Sequence, residues 1–216
     1  MTSPTSDADR GPGGRLRRLM DDPRLWVGLA VLGATGLLAG AVALEHLAGL
    51  RPCPMCMMQR AGHAGTALAG LIFLALARPS LRPGGLPRPM ARGLVVLGLL
   101  TTLAGGGIAA WQAGLQAGLV PAPEICAHAE TLSSADGDAL LPGAGGALPP
   151  PDCADASWRL LGVTLAGWNV LASAGLAGLW ALAAYTLRPG APGIPAPDAP
   201  LTPASIGRSA PGHRRR

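Results

Sequence analysis

Lysine is absent from this 216-residue chain, so all 17 of its basic residues are arginine. Charge of either sign is scarce, because charged residues make up 13% of the chain whereas an average soluble domain carries roughly 25%. Aromatic residues contribute only 3%, although 49% of the residues are hydrophobic. This is too little charge to cover a globular surface of this size. The composition therefore argues against a soluble enzyme and predicts a membrane protein.

Four apolar stretches approach the roughly 20 residues that a helix needs to cross a bilayer. They predict an all-α integral membrane protein, a four-transmembrane-helix bundle whose second span is the weakest because its apolar core is the shortest. Gly105, Gly106 and Gly107 lie in the middle of the third span, where small residues permit a close helix contact or a kink. The predicted spans cover about 25–45, 60–78, 93–119 and 163–187.

A cleaved signal peptide is the alternative for the first span, because arginines precede it and Ala41-Val42-Ala43 resembles a cleavage site. The apolar run is longer than the roughly 7 to 15 residues typical of a signal peptide. Cleavage would also leave three spans, with one end of the arginine pattern unexplained. The first stretch is therefore interpreted as a membrane span.

The arginines predict how the spans are oriented. Fourteen of the 17 lie in the N-terminal segment, the loop between the second and third spans or the C-terminal segment, and the positive-inside rule puts these three in the cytoplasm. The membrane domain is then 23–188, with periplasmic loops at about 46–59 and 120–162. Residues 1–22 and 189–216, rich in Pro, Gly, Ser and Arg, are predicted to be disordered cytoplasmic tails. Their arginines are interpreted as a topology signal near membrane lipid, and no nucleic-acid partner is predicted.

Two pairs of cysteines lie in the predicted outer loops. Cys53 and Cys56 form a C-x-x-C motif in the first loop, while Cys126 and Cys153 both lie in the second. The environment outside a bacterial inner membrane is oxidising, so both pairs are expected to form disulfides at least part of the time. A purely structural disulfide stays an equal alternative for the second pair. The first pair closes too small a ring to restrain much chain, which favours redox activity or metal binding.

The position of the C-x-x-C motif favours redox chemistry. Cys53 and Cys56 come just before the second helix, where unpaired backbone amides and the helix dipole stabilise a thiolate. Arg60 follows Cys56 by four residues, so in a helix that has begun its guanidinium lies on the same face as the Cys56 sulfur. A positive charge there would lower the thiol pKa and bind the polar head of a redox partner. A role for Arg60 in topology alone is the alternative.

A zinc site is a further alternative for the four cysteines, with His128 as a spare ligand. A structural zinc site usually has two tight C-x-x-C knuckles, whereas the second pair is spread over a long loop, so no metal is predicted. The single histidines His46 and His63, and Glu45 at the end of the first span, are interpreted as membrane-boundary residues.

With these residues identified, the chain resembles the disulfide bond formation protein B (DsbB) family, quinone-dependent membrane oxidases that regenerate a periplasmic dithiol oxidase. The similarity covers about 25–187 and includes the four spans and the two cysteines of the second outer loop. It also includes the run from Arg51 to Arg60, RPCPMCMMQR, and the later tryptophans Trp158 and Trp168. A C-P-x-C motif followed by Gln-Arg at a helix mouth, with a distant second cysteine pair, is a specific combination.

The resemblance implies a role for each cysteine. Cys126 matches the cysteine that a soluble, DsbA-like thioredoxin-fold partner attacks, and Cys153 passes the electrons on to Cys53 from a loop expected to be mobile. Cys56 matches the cysteine that faces the quinone, and Arg60 matches the arginine that holds and polarises it. The implied enzyme is an inner-membrane protein dithiol:quinone oxidoreductase that reoxidises the periplasmic partner and reduces ubiquinone or menaquinone.

One position departs from the family pattern. Members often carry a histidine toward the outer end of the third helix, near the quinone, where this chain has Gln112, followed by Gln116. A glutamine donates a hydrogen bond to a quinone carbonyl but delivers no proton, so Gln112 is expected to contact the quinone without relaying protons. Two other interpretations stay open. One is a vitamin K epoxide reductase-like enzyme, although that family has its C-x-x-C near the last core helix, and the other is a non-enzymatic scaffold or transporter subunit with structural disulfides.

Overall fold

The computed structural model describes residues 12–78, 86–126, 152–155 and 158–188 of the protein. This part of the chain is mostly helical, with one short β-hairpin. The elements in chain order are α1 (Pro12–Met20), α2 (Pro23–Leu47), α3 (Pro54–Leu76), α4 (Arg88–Gln116), β1 (Arg159–Leu160), β2 (Val163–Thr164) and α5 (Leu165–Thr186).

Prolines and capping side chains mark where these helices begin. Both α2 and α3 start with a proline, which lacks the amide hydrogen that a first turn leaves unpaired. The Asp22 side chain accepts a hydrogen bond from the Arg24 amide before α2, and Thr164 accepts one from the Gly167 amide before α5. Cys53 occupies the same capping position before α3. Local sequence therefore puts a candidate site residue at a helix N-terminus.

Helices α2 to α5 pack into a bundle. α3 packs against α4, α4 packs against α5, and α2 packs against both α3 and α5. Each helix contributes one of the four largest fully buried apolar side chains of the core, namely Val27, Phe73, Val95 and Trp180. Gly98 of α4 lets the Trp180 ring lie against its backbone, since an added Cβ would be 2.3 Å from Cζ2 of that ring. Small residues at such contacts are typical of helices that pack in membranes.

Within the described residues, three helices are long and apolar enough to cross a membrane: α2, α4 and α5. Large apolar side chains on them are exposed, among them Leu32 on α2, Leu100 on α4 and Leu171 on α5. Apolar side chains directed outward suit a lipid surface. α3 is not among the three candidates, so the second predicted span, 60–78, stays a prediction.

The prediction of disorder over 1–22 was wrong for the residues of α1. Leu16, Leu19 and Met20 recur at the helical spacing of one face, which is the pattern of an amphipathic helix. The Trp26 indole Nε1 donates a hydrogen bond to the Met20 carbonyl oxygen at 2.8 Å and joins the end of α1 to α2. The remaining parts of the predicted tails, 1–11 and 189–216, lie outside the described residues.

The helix that carries the third predicted span begins earlier than predicted, because α4 starts at Arg88, five residues before position 93. Arg92 lies inside the helix and donates two hydrogen bonds, of 3.1 and 2.8 Å, to the Leu187 carbonyl oxygen just after the end of α5. A charged side chain that satisfies a helix-end carbonyl is compatible with a helix that continues past the apolar core. Charge alone was therefore a poor guide to the helix boundary.

The β-hairpin closes the bundle immediately before α5. β1 and β2 are antiparallel, with Arg159 opposite Thr164. The turn places Leu161 and Gly162 at φ values of 54° and 79°, a conformation in which glycine is unstrained. Trp168 of α5 donates a hydrogen bond from Nε1 to the Leu160 carbonyl oxygen at 3.1 Å, which fixes the hairpin against the helix.

Candidate thiol redox site

The C-x-x-C motif lies at the amino terminus of α3. Cys53 precedes the first helical turn, and its sulfur accepts a hydrogen bond from the Cys56 amide at 3.3 Å. The two sulfur atoms are 2.7 Å apart and are not joined by a disulfide. Pro54 starts the helix between them, and one helical turn brings residues three apart together. The pair is thus held at the helix mouth by the backbone itself.

The two thiols of this pair differ in acidity. Both precede position 60 and therefore lie outside the predicted span. The hydrogen bond that Cys56 shares with Cys53 lowers the pKa of Cys56 to about 6, and the Gln112 amide and the Arg60 charge act in the same direction. The shared hydrogen bond and burial raise the pKa of Cys53 above its ordinary value. Cys56 is therefore the more acidic thiol of the pair and Cys53 the less acidic one.

The second cysteine pair is a disulfide, with Cys126 and Cys153 joined by an S–S bond of 2.08 Å. Both residues are buried and cluster with Cys53 and Met55. All four cysteines are therefore at one end of the bundle, although they lie up to 100 positions apart in the sequence. The loop expected to be mobile and the spare ligand His128 lie between the last two cysteines, outside the described residues.

Gln112 of α4 lies between the two cysteine pairs. Its side-chain Nε2 donates to the Cys53 sulfur at 3.2 Å and lies 3.6 Å from the Cys56 sulfur. The same Nε2 donates to the Cys153 carbonyl oxygen at 3.4 Å. The amide is buried, so these contacts exclude solvent from the space between the pairs.

A chain of hydrogen bonds continues from Gln112 into the bundle. Gln59 donates from Nε2 to the Gln112 Oε1 at 2.6 Å, and Asn169 of α5 donates from Nδ2 to the Gln59 Oε1 at 2.6 Å. The Asn169 Oδ1 lies 2.7 Å from Nε2 of His63. Gln59 and His63 are buried, so each of these polar groups depends on its neighbour for a partner.

Arg60 lies one turn beyond Cys56 and forms an ion pair. Its Nη1 is 2.6 Å from the Glu45 Oε2 of α2, and its Nη2 donates to the Ala41 carbonyl oxygen at 3.4 Å. Both charged side chains are partly exposed, which limits the strength of the pair. The pair joins α2 to α3 beside the thiols and aligns the guanidinium with the wall of a cavity.

That cavity has a volume of about 470 Å³ and opens between α2, α3 and α5. α2 supplies an apolar wall that includes Leu37 and Leu44. The opposite wall is polar and includes Cys56, Arg60 and His63. An apolar pocket with a few convergent polar groups is the usual form of a small-molecule site. Within the described residues, no group of three or more His, Cys, Asp or Glu side chains is placed to hold a metal ion.

Sequence reasoning identified both cysteine pairs, Arg60 and Gln112 as candidates, and the structure brings all six residues to one end of the bundle. It missed four polar residues of the same region and interpreted Glu45 and His63 as boundary residues. His63 is instead 4% exposed and hydrogen-bonded across the bundle. The usable signal was a polar or ionisable residue inside an apolar stretch. Burying such a residue costs free energy, so its presence indicates a function. The missed residues are Glu45, Gln59, His63 and Asn169.

Comparisons with known proteins agree on one family. The family model for the disulfide bond formation protein DsbB matches residues 23–183. Disulfide bond formation protein B of Azoarcus sp. is 38% identical over 156 residues, which cover 68% of this chain and 84% of that protein. The protein of the same name from Hahella chejuensis is 34% identical over 169 residues, 72% of this chain and 89% of that protein. No solved structure matches the chain.

A third relative extends the comparison. Disulfide bond formation protein B 1 of Pseudomonas aeruginosa is 32% identical over 164 residues. The match covers 69% of this chain and 87% of that protein. The similarity therefore spans nearly the whole length of these relatives and leaves the two ends of this chain outside it.

Proposed function

The chain belongs to the DsbB family of disulfide bond formation proteins, and we propose that it is a protein dithiol:quinone oxidoreductase that reoxidises a periplasmic DsbA-like partner. The observation that carries the proposal is the burial of two cysteine pairs in one cluster, with the Gln112 amide donating toward both. A purely structural disulfide does not require a second, unbonded cysteine pair beside it. A relay of disulfide exchange does, because each thiolate must reach the next sulfur.

The proposal includes a fourth membrane span over 60–78, with both termini in the cytoplasm and the loops 46–59 and 120–162 in the periplasm of the inner membrane. It is supported by the position of all four cysteines at one end of the bundle and by the arginine distribution. Reporter fusions after Arg82 and after Gly137 test the orientation. They should report opposite sides of the membrane, and reports from the same side would contradict the span count.

Electrons would enter through the second pair. A thiolate of the partner attacks the Cys126 sulfur, forms a mixed disulfide and releases Cys153 as a thiolate. The second partner thiol then resolves the mixed disulfide, so the partner is oxidised and the Cys126–Cys153 pair gains two electrons. Both sulfurs are buried, so the attack requires that Cys126 become accessible. Accessibility at this pair would therefore control the first step.

The first pair would receive these electrons next. The Cys153 thiolate attacks the Cys53 sulfur of an oxidised Cys53–Cys56 pair and releases Cys56, and Cys126 then resolves the new bond to restore its disulfide with Cys153. The Gln112 amide and the Arg60 charge, which both lower the pKa of Cys56, would make it a good leaving thiolate. After the exchange, Cys126 and Cys153 are bonded and Cys53 and Cys56 are reduced.

The cavity fits a quinone head group in size and chemistry. Its apolar wall on α2 suits a ring with apolar substituents, and Arg60 supplies a donor for a carbonyl oxygen. When bound, ubiquinone or menaquinone accepts two electrons and two protons. Arg60 would hold one carbonyl, and Glu45 would keep the guanidinium in place. Cys56 would face the ring from the amino terminus of α3.

Turnover with purified protein in detergent tests the proposal. A reduced DsbA-like protein and a soluble quinone are added, and quinone reduction is followed optically. The Cys126→Ser variant should fail to oxidise the protein partner yet still reduce quinone with dithiothreitol, because a small dithiol reaches the first pair directly. The exposed residue Met58 offers a control, and Met58→Leu should keep both activities. Absence of turnover in the wild type, or unchanged partner oxidation in Cys126→Ser, would contradict the proposed function.

A further inference from the structure

His63 is an ionisable residue inside the second predicted span, and among the described residues one of its nitrogens has no partner. The residue is 4% exposed, and its Nδ1 is buried without a hydrogen bond in the described part of the chain. The side chain lines the same cavity as Cys56 and Arg60. An ionisable side chain in such a position is costly and indicates a function that the cysteine relay does not use.

The hydrogen bonds around His63 determine which of its nitrogens carries the proton. The starting point is the Cys153 carbonyl oxygen, which only accepts, so the Gln112 group that contacts it must be the amide nitrogen. The Gln112 oxygen then faces Gln59 and must accept from the Gln59 nitrogen. A flipped amide at either residue would place two acceptors or two donors against each other.

The same reasoning continues to the end of the chain. The Gln59 oxygen must accept from the Asn169 nitrogen, which leaves the Asn169 oxygen to accept from His63. Nε2 of His63 is therefore the protonated nitrogen, and Nδ1 of the neutral ring carries a free lone pair. The Cys153 carbonyl, beside the disulfide, thus determines the tautomer of His63 at the other end of this series of hydrogen bonds.

We propose that His63 exchanges one proton with a quinone bound in the cavity, through Nδ1 when that buried atom becomes accessible to the quinone, and that Asn169, Gln59 and Gln112 are positioning residues that hold the required tautomer. The proposal rests on the proposed function. The reacting groups are the Cys53 thiol, the Cys56 thiolate, His63 protonated on both nitrogens and the quinone. The products are the Cys53–Cys56 disulfide, neutral His63 and the hydroquinone. Two electrons leave the sulfurs, one proton comes from Cys53 and one from His63, so charge and atoms balance.

Other charged or titratable groups face the cavity, and they differ from His63 in their surroundings. Glu45 is bound by Arg60, and the Asp152 carboxylate accepts from the Ala154 amide. From α4 and α5, the polar residues on the wall are the amides Gln112, Gln116 and Asn169, which donate hydrogen bonds but no protons. The charged and titratable residues on the wall, besides His63, are Glu45, Arg51, Cys53, Cys56, Arg60, Asp152 and Asp155.

Nitrogen NMR of ¹⁵N-histidine-labelled protein in detergent tests the tautomer without turnover. The chain has four histidines, so the His63 signals are assigned by their loss in His63→Gln and their retention in His46→Gln, a control at an exposed position. Neutral His63 should show the Nε2-protonated form. Asn169→Leu should shift this signal toward a mixture of both forms. An Nδ1-protonated His63, or a tautomer unchanged in Asn169→Leu, would overturn the proposal.

Kinetics with a soluble quinone test the proton transfer. His63→Gln should lower kcat by about 100-fold, the lower range for a general acid, and change the quinone KM by less than about threefold. Asn169→Leu keeps the histidine and should lower kcat by about tenfold. A wild-type kcat in His63→Gln would overturn this inference, whereas absent quinone reduction in the wild type would overturn the proposed function.

Discussion

The two ends of the helix bundle are packed in different ways. At the end that carries the cysteines, α3 presents Gln59, Arg60 and His63 to polar partners and to a cavity. At the other end, α3 buries Phe73 against an apolar core that contains Trp180. One helix thus passes from a hydrogen-bonded environment into a closely packed one.

The difference shows how a membrane bundle holds reactive groups. Close packing at the apolar end fixes the relative positions of the helices, because interiors at native density resist movement. The Arg24 guanidinium adds a hydrogen bond to the Ala77 carbonyl oxygen at that end and ties the start of α2 to the end of α3. The cysteine end is then free to contain a cavity, since its polar groups satisfy one another. The reactive groups and the closely packed apolar core therefore lie in separate halves of the same helices.

The largest expected effect, and one confined to the cysteine end, comes from removing the Cys56 sulfur. Cys56→Ser should lower quinone reduction by more than about a thousandfold, because serine forms no disulfide and is a poor leaving group. Its unfolding midpoint in mixed detergent and SDS, measured by circular dichroism, should stay near that of the wild type. Residual turnover close to the wild-type rate would show that Cys56 is not part of the relay.

The converse change places a methyl group in the packed end. In Gly98→Ala, the new Cβ would lie 2.3 to 2.6 Å from three atoms of the fully buried Trp180 ring. Overpacking of this kind should cost about 1–3 kcal/mol of unfolding free energy. Gly107→Ala is the matched control on the same helix, where an added Cβ meets nothing within 4 Å. Equal stability of the two variants would show that the packed end is looser than the contact indicates.

The sequence predicted the helices better than it predicted the polar side of the site. Apolar runs locate α2 and α5 to within about two residues, since burial in lipid depends on composition alone. Arg92 was assigned to a loop because it is charged. Its partner inside the bundle, the Leu187 carbonyl, is 95 positions away and could not be predicted. The proximity of Cys53 and Cys56 was predictable, because both cysteines belong to one helical turn.

The hydrogen-bonded chain was not predictable for the same reason. Asn169 lies 110 positions from Gln59 and 106 from His63, so no local pattern relates them. Each was a single polar residue in or beside an apolar run, and one such residue has many explanations. Only the packing of α3 against α4 and α5 shows that they satisfy one another.

A smaller effect is expected from the charge beside the cavity. Arg60→Ala should raise the apparent quinone KM by about tenfold, corresponding to about 1.4 kcal/mol, since a charge-assisted contact is lost. Disulfide exchange with the protein partner should be nearly unchanged. Arg159→Ala removes an exposed arginine of the hairpin and serves as the control. If both variants have the same KM, Arg60 acts in topology alone.

The smallest effect is expected at the boundary between the two ends, where three threonine hydroxyls meet. Thr66 Oγ1 lies 2.9 Å from the Thr102 hydroxyl and 3.1 Å from the Thr101 hydroxyl, joining α3 to α4. Thr66→Val removes the hydroxyl at this contact but leaves both partners paired, because the single protons of Thr101 and Thr102 are donated to the Gly98 carbonyl oxygen. The loss of unfolding free energy should therefore be about 0.6 kcal/mol, the average for such bonds between membrane helices. An unfolding free energy lowered by several times that amount, with turnover also reduced, would show that the two ends are coupled through this contact.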